Sequence, residues 1–278
     1  MNKPTIYCNY LSRFANNIFQ YCYAHLLNQK IGGSIKFSEC CTLDSGPTHD
    51  EPSNWEGLES KPIYEITNST HKFSTKEQMG KFRPGEIEEL SHKYEFNPPL
   101  ESSDFTKDII LSDYFQNYQY YKNHKSLIRS LLYKLYQRQL DEYPSPKDVV
   151  AHYRGTDIHL QVPPEYYIQI LKNEEYDKFY IVTEDPNNPR VQYLRNSINS
   201  QKPNSVIIRS SSVVDDFLFL LHANRIIMSV STFAWMSAWL SDARKIYFPI
   251  DNYLYSKRGD KRLIVDDEPR YIYTNLFQ

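Results

Sequence analysis

Apolar positions along the chain change period several times, and the changes mark out its elements. Thr5–Cys8 is a short apolar run that predicts a first strand. From Asn16 to Lys30 the apolar residues fall at Ile18, Phe19, Cys22, Leu26 and Leu27, the spacing of one helix face. Gly32 and Gly33 end that helix, and Ser34–Phe37 predicts a second strand. Residues 41–100 are punctuated by Pro47, Pro52, Pro62, Pro84, Pro98 and Pro99 and read as loops with short elements. A long irregular stretch of this kind is commonly a binding surface. Asp108–Ser112 predicts a strand, and Ser126–Leu140, with Leu127, Leu131, Leu132 and Leu135, an amphipathic helix.

Pro144 and Pro146 then mark a boundary, dividing the chain into domains at 1–143 and 144–278. The second half alternates. Strands are predicted at 148–152, 178–182, 205–208, 225–228 and 245–248, with helices at 164–171, 188–198, 212–223 and 232–240. Strands alternating with helices argue for an α/β fold whose parallel sheet is covered on both faces. Such sheets bind ligands at the carboxyl ends of their strands.

Those strand ends concentrate polar chemistry. One gives His152-Tyr153-Arg154-Gly155-Thr156-Asp157, another Thr183-Glu184-Asp185, and a third Ser229-Val230-Ser231-Thr232 ahead of a helix. An arginine at a strand tip suits phosphate through paired, charge-assisted hydrogen bonds. Gly155 lets backbone approach a ligand closely, and the helix opening at Thr232 presents a positive dipole end. Structural alternatives stand beside each reading. Arg154 and Asp157 also suit an ion pair, and Ser231 and Thr232 suit helix caps. His152 also suits a satisfied core histidine, Asp216 a solvated helix carboxylate, and Arg13 a surface charge.

Composition narrows the classes. The chain has 278 residues and a net charge of −2, without the basic excess a nucleic-acid binder carries. No apolar run approaches the ~20 residues of a membrane span, and Met1-Asn2-Lys3-Pro4 opens no signal-peptide pattern. The four cysteines, Cys8, Cys22, Cys40 and Cys41, fit neither zinc spacing nor a disulfide framework, so reduced thiols and a cytoplasmic setting are expected.

Five blocks, in order, resemble the fucosyltransferase superfamily, which includes α-1,2-, α-1,6- and protein O-fucosyltransferases. His152-Tyr153-Arg154-Gly155-Thr156-Asp157 is similar to its H-x-R-R-G-D or H-x-R-x-T-D motif. Ser12 through Tyr21 is similar to G-R-x-G-N-Q-x-F-Q-Y, and Asp113-Tyr114-Phe115-Gln116 to G-Y-F-Q. Phe179 through Asp185 resembles the strand ending in S/T-D-D. Asp216 through Leu240, with Ser231-Thr232-Phe233-Ala234-Trp235 and Ala238-Trp239-Leu240, resembles the D…S-T-F-S-W-W-x-A-W-L segment.

The resemblance implies a GT-B-like fold: two facing Rossmann-like domains, an N-terminal acceptor side and a C-terminal donor side, with the active site in the cleft. It implies an inverting, metal-independent glycosyltransferase that moves L-fucose from GDP-fucose to a glycan hydroxyl, with no cofactor beyond that nucleotide sugar. Arg154 would clamp the diphosphate, and His152 and Asp157 would orient its loop or touch the sugar. Ser231, Thr232 and Phe233 would contact phosphate or ribose, and Asp216 the paired donors of guanine. Arg13 and Asn16 would reach donor or acceptor from the facing domain.

The chain departs from the pattern where Ser12 and Ala15 replace glycines, Asp113 replaces a third, and Gly155 replaces a second arginine. Those departures keep open another donor, such as a UDP-linked xylose, and a non-catalytic nucleotide- or glycan-binding module. The general base is unassigned among Asp44, Asp50, Glu51 and Asp113.

Overall fold

A computed structural model of the chain describes residues 3–8, 14–37, 63–66, 71–74, 108–111, 114–135, 139–155, 161–250 and 263–276. Its contacts cluster into two compact units, Met1–Leu131 and Leu132–Gln278.

The first unit is built on a five-stranded sheet of order β2-β1-β5-β3-β4. Its strands are β1 (Thr5–Cys8), β2 (Ser34–Phe37), β3 (Ile63–Ile66), β4 (His71–Ser74) and β5 (Asp108–Leu111). All pairings are parallel except β3 with β4, which is antiparallel. β3 and β4 lie inside the proline-punctuated stretch that reads as loops with short elements. Helix α1 (Phe14–Ile31) begins two residues earlier than the apolar spacing predicts. It buries Phe14, Ile18, Phe19, Cys22, Leu26 and Leu27.

Gly32 closes α1 at φ 70°, its N–H donating to the Asn28 carbonyl at 2.7 Å. Gly33 has no alternative, since a Cβ there would fall 2.2 Å from the Pro4 carbonyl oxygen. Cys8 and Cys22 are free and buried, and burial pushes both thiols up. Helix α2 is Lys125–Leu135, and residues 136–138 of the longer predicted helix lie outside the described residues.

The second unit carries a six-stranded, wholly parallel sheet of order β11-β10-β9-β6-β7-β8. Its strands are β6 (Val149–His152), β7 (Phe179–Val182), β8 (Val206–Arg209), β9 (Arg225–Ile227), β10 (Lys245–Ile250) and β11 (Tyr271–Asn275). The helices are α3 (Pro164–Leu171), α4 (Pro189–Asn199), α5 (Val213–Leu221) and α6 (Thr232–Leu240). β6 and β7 are buried at every position, which is why they read as continuous apolar runs rather than alternations.

Helix starts follow their sequence signals. Pro164 and Pro189 occupy the first helical positions of α3 and α4. Asn188, Ser212 and Ser231 accept backbone N–H groups from Arg190, Asp215 and Phe233. Pro249 is tolerated in β10 because pairing with β9 covers only Lys245–Tyr247, so its missing N–H breaks no bond in that ladder. β11 lies beyond the last predicted strand. Tyr271 and Tyr273 pack on Phe248, with ring centroids 5.9 and 5.2 Å away.

The two edges of this sheet differ in kind. At the amino edge, the buried Glu174 carboxylate takes Arg225 at 3.0 Å, Lys245 at 2.7 Å and the Tyr247 hydroxyl. Charges there satisfy one another. Counted outward from β6, the strands run β6-β7-β8 to one side and β9-β10-β11 to the other. The chain therefore reverses direction across the sheet between β6 and β9, the switch point at whose carboxyl ends such folds open a crevice.

Candidate active site

Of the predicted residues, His152 and Phe233 meet at the switch point, and Arg154, Ser231 and Thr232 adjoin them in sequence. β6 ends on His152, and Ser229 follows β9 two residues after Ile227. Their side chains meet across the switch, His152 Nδ1 lying 2.6 Å from Ser229 Oγ. The His152 carbonyl accepts the Tyr167 hydroxyl of α3 at 2.9 Å, and its ring lies 5.1 Å from the Phe233 ring of α6. Phe233 in turn meets Phe217 of α5 edge-on at 5.7 Å. The imidazole is thus held by Ser229 and Phe233, and its backbone by Tyr167.

Burial, and then the positive charge of Arg154, push the His152 pKa down to about 3. His152 is accordingly a neutral ring at neutral pH. The linkage has a definite sign. Between about pH 3 and 6.5 the unfolded histidine holds a proton that the folded one does not, so stability rises with pH through that window. From this group, the protein should be about 2 kcal/mol less stable at pH 5 than at pH 7. Urea midpoints at the two pH values, for wild type and His152→Gln, check this. The variant should lose that share of the acid sensitivity.

Arg154 leaves the sheet two residues after β6 and is half-buried, its charge acting on His152 from the adjoining loop. Gly155 follows, its carbonyl accepting Gln161 Nε2 at 2.6 Å. A Cβ at Gly155 would sit 3.0 Å from Asn188 Nδ2, so the loop runs tight against the cap of α4. Arg190 donates to Gln161 Oε1 at 2.9 Å and extends this brace. Asp157 lies outside the described residues.

Ser231 caps α6, its Oγ accepting the Phe233 N–H at 3.2 Å, and Thr232 is the first helical residue. Both are buried, and the helix they open points its positive end at the carboxyl edge. Asp216 lies in the first turn of α5 and is buried, which replaces the solvated reading. One carboxylate oxygen accepts Arg209 Nε at 3.1 Å and the other the Ser211 N–H at 3.1 Å. Burial raises its pKa, against the lowering effect of those two partners. Each oxygen keeps a second acceptor site for a ligand donor.

Asn16 belongs to the first unit, at the start of α1. Its Oδ1 accepts Gln116 Nε2 at 2.8 Å, tying the residues that follow β1 to those that follow β5. Phe115, beside Gln116, is buried at φ 53°, a strained backbone for a non-glycine residue. Stacking on Tyr23 at 4.0 Å and a 2.6 Å bond from the Tyr121 hydroxyl to its carbonyl hold it there. Arg13, Asp44, Asp50, Glu51 and Asp113 lie outside the described residues. Ser229, Tyr167 and Arg209 were not assigned roles from sequence. Ser229 stands within a quoted strand end, but only its pairing across the sheet singles it out.

No known family profile and no curated protein sequence matches the chain. Solved structures do. Fucosyltransferase NodZ from Bradyrhizobium superposes with a TM-score of 0.52 at 11% identity, over 88% of this chain and 94% of that one. NodZ alpha-1,6-fucosyltransferase co-crystallised with GDP gives a TM-score of 0.50 at 12% identity, over the same shares of the two chains, 88% and 94%. The same enzyme soaked with GDP-fucose gives 0.50 at 13% identity, with coverage again 88% and 94%. The chain has, over most of its length, the GT-B-like α/β fold of the NodZ fucosyltransferases, the fold that its five ordered sequence blocks implied.

Proposed function

We propose that this chain is an inverting, metal-independent glycosyltransferase that moves L-fucose from GDP-fucose to a glycan hydroxyl. In this reading residues 144–278 hold the donor and residues 1–143 face the acceptor. One observation carries it. Arg154 and the capped start of α6 flank the His152–Ser229 pair at the switch point of a parallel sheet.

The chemistry follows from that placement. In the transfer, the bond between the sugar's anomeric carbon and the diphosphate oxygen breaks, and the acceptor oxygen takes its place on the opposite face. The acceptor proton passes to a base or to water. Negative charge grows on the departing diphosphate, where Arg154 can fork onto its oxygens and the dipole of α6 adds a fixed positive end. Asp216 offers its remaining acceptor sites to the paired donors of guanine. Ser231, Thr232 and Phe233 add contacts to phosphate or ribose, and the resemblance to the fucosyltransferases is what assigns Arg13 and Asn16 to donor binding and Asp157 to the catalytic group. The fold shared with NodZ, which was co-crystallised with GDP and soaked with GDP-fucose, supports the donor class.

Nucleotide binding tests the reading. At a hundredfold excess over Kd, GDP should raise Tm by roughly 5–10 °C, with UDP inert and EDTA without effect on donor turnover. Stabilisation by UDP alone assigns the site to a UDP-linked sugar such as xylose. Tight GDP binding with no donor turnover assigns it to a binding module.

A further inference from the structure

Ser229 has the geometry of a group that sets the chemical form of its neighbour. It is 2% exposed, and among the described residues its Oγ has no hydrogen-bond partner besides His152 Nδ1, at 2.6 Å. Two arrangements of that bond are open. If Nδ1–H donates to Oγ, the hydroxyl proton is left buried with nothing to accept it, and an unmade buried hydrogen bond is expensive. If Oγ–H donates to Nδ1, every group at the contact is satisfied, and the ring proton must sit on Nε2.

The surroundings leave the ring little freedom to choose otherwise. Phe233 lies against it at 5.1 Å, and the Tyr167 hydroxyl holds the His152 carbonyl at 2.9 Å, so neither ring nor strand end can turn away. As a whole residue, His152 keeps 9% exposure.

We propose that Ser229 is a positioning residue that locks His152 in the Nε2–H tautomer, making it a fixed, uncharged hydrogen-bond donor to an oxygen of the bound donor rather than a base. For an enzyme that must stabilise an oxyanion-rich leaving group, a donor that cannot accept a proton at this nitrogen keeps its role through the reaction. The tautomer stands on the geometry alone, whereas its catalytic consequence rests on the proposed transferase activity.

Nitrogen-15 NMR of the imidazoles in the full chain, with His152 assigned by His152→Gln, reads the tautomer directly. The expected result at neutral pH is a bare Nδ1 and a protonated Nε2 in the wild type. Ser229→Ala should give a mixture of the two tautomers and lower kcat/KM for the donor roughly tenfold, the loss of one buried hydrogen bond's orientation. A protonated Nδ1 in the wild type overturns the proposal, as does an unmixed Nε2–H form in Ser229→Ala. Unchanged kcat/KM alongside mixed tautomers overturns its catalytic half. Failure of GDP and UDP to bind, with the tautomer as expected, sinks the functional reading and leaves the Ser229 assignment intact.

Discussion

Replacing Arg154 with alanine should lower donor turnover by roughly 100–1,000-fold while leaving the fold intact, a loss of about 3 kcal/mol of transition-state stabilisation. The size follows from what the residue does. In the proposed reaction the diphosphate gains charge as the sugar leaves. Arg154 is the cation that the sequence places just past the tip of β6, and Gly155 stands where the H-x-R-R pattern it resembles has a second arginine. The helix dipole of α6 contributes to the same charge but is worth less than a full guanidinium. Lysine keeps the charge and loses the planar fork, so Arg154→Lys should recover only part of the rate. The measurement is kcat/KM for GDP-fucose, with the thermal midpoint as the control for folding. Near wild-type turnover in a folded Arg154→Ala protein refutes the assignment.

The largest effect on stability should come from Trp235. It is fully buried in α6, stacked on Trp239 one turn later with centroids 5.5 Å apart. Its indole N–H donates to the Leu263 carbonyl at 2.6 Å. Trp235→Ala removes a large apolar volume from a helix buried on nearly every side, and it strips the Leu263 carbonyl of this donor. The sum should be about 3–5 kcal/mol, a large part of a typical domain's total stability. Urea denaturation should show the midpoint falling with the slope unchanged. Trp235→Phe keeps most of the packing and loses the hydrogen bond, so a drop of about 1–2 kcal/mol is expected. A midpoint shift below 1 kcal/mol for the alanine variant would show that the helix repacks around the gap.

The order of elements in the second unit is legible because its central strands are buried at every position. Val149-Val150-Ala151 and Phe179 through Val182 can be nothing but buried runs, and Pro164, Asn188-Pro189, Ser212 and Ser231 announce the helices between them. β11 is not framed by the sequence pattern, although Tyr271-Ile272-Tyr273 is a run of residue types that favour strands. It is a strand at the edge of the sheet with a single partner, and its neighbours in sequence carry no helical pattern to frame it. β3 and β4 were submerged in the proline-rich stretch because four-residue strands hold too few apolar positions to establish a period.

The candidate site divides in the same way. That His152 ends a strand with Arg154 just beyond it, and that Ser231 caps a helix, are local facts, dictated by the chemistry of neighbouring residues. They needed no partner from elsewhere in the chain. Which strand ends share a crevice is a question of strand order, and β6 meets β9 only because the chain reverses direction across the sheet. The bond between positions 152 and 229, the burial that keeps His152 neutral, and the capture of the Asp216 carboxylate by Arg209 and Ser211 all depend on that packing. Sequence alone determined the elements and the kinds of group at their tips, since period and capping are local. Tertiary structure alone decided which tips meet and in what protonation state, since proximity and desolvation are properties of the folded whole.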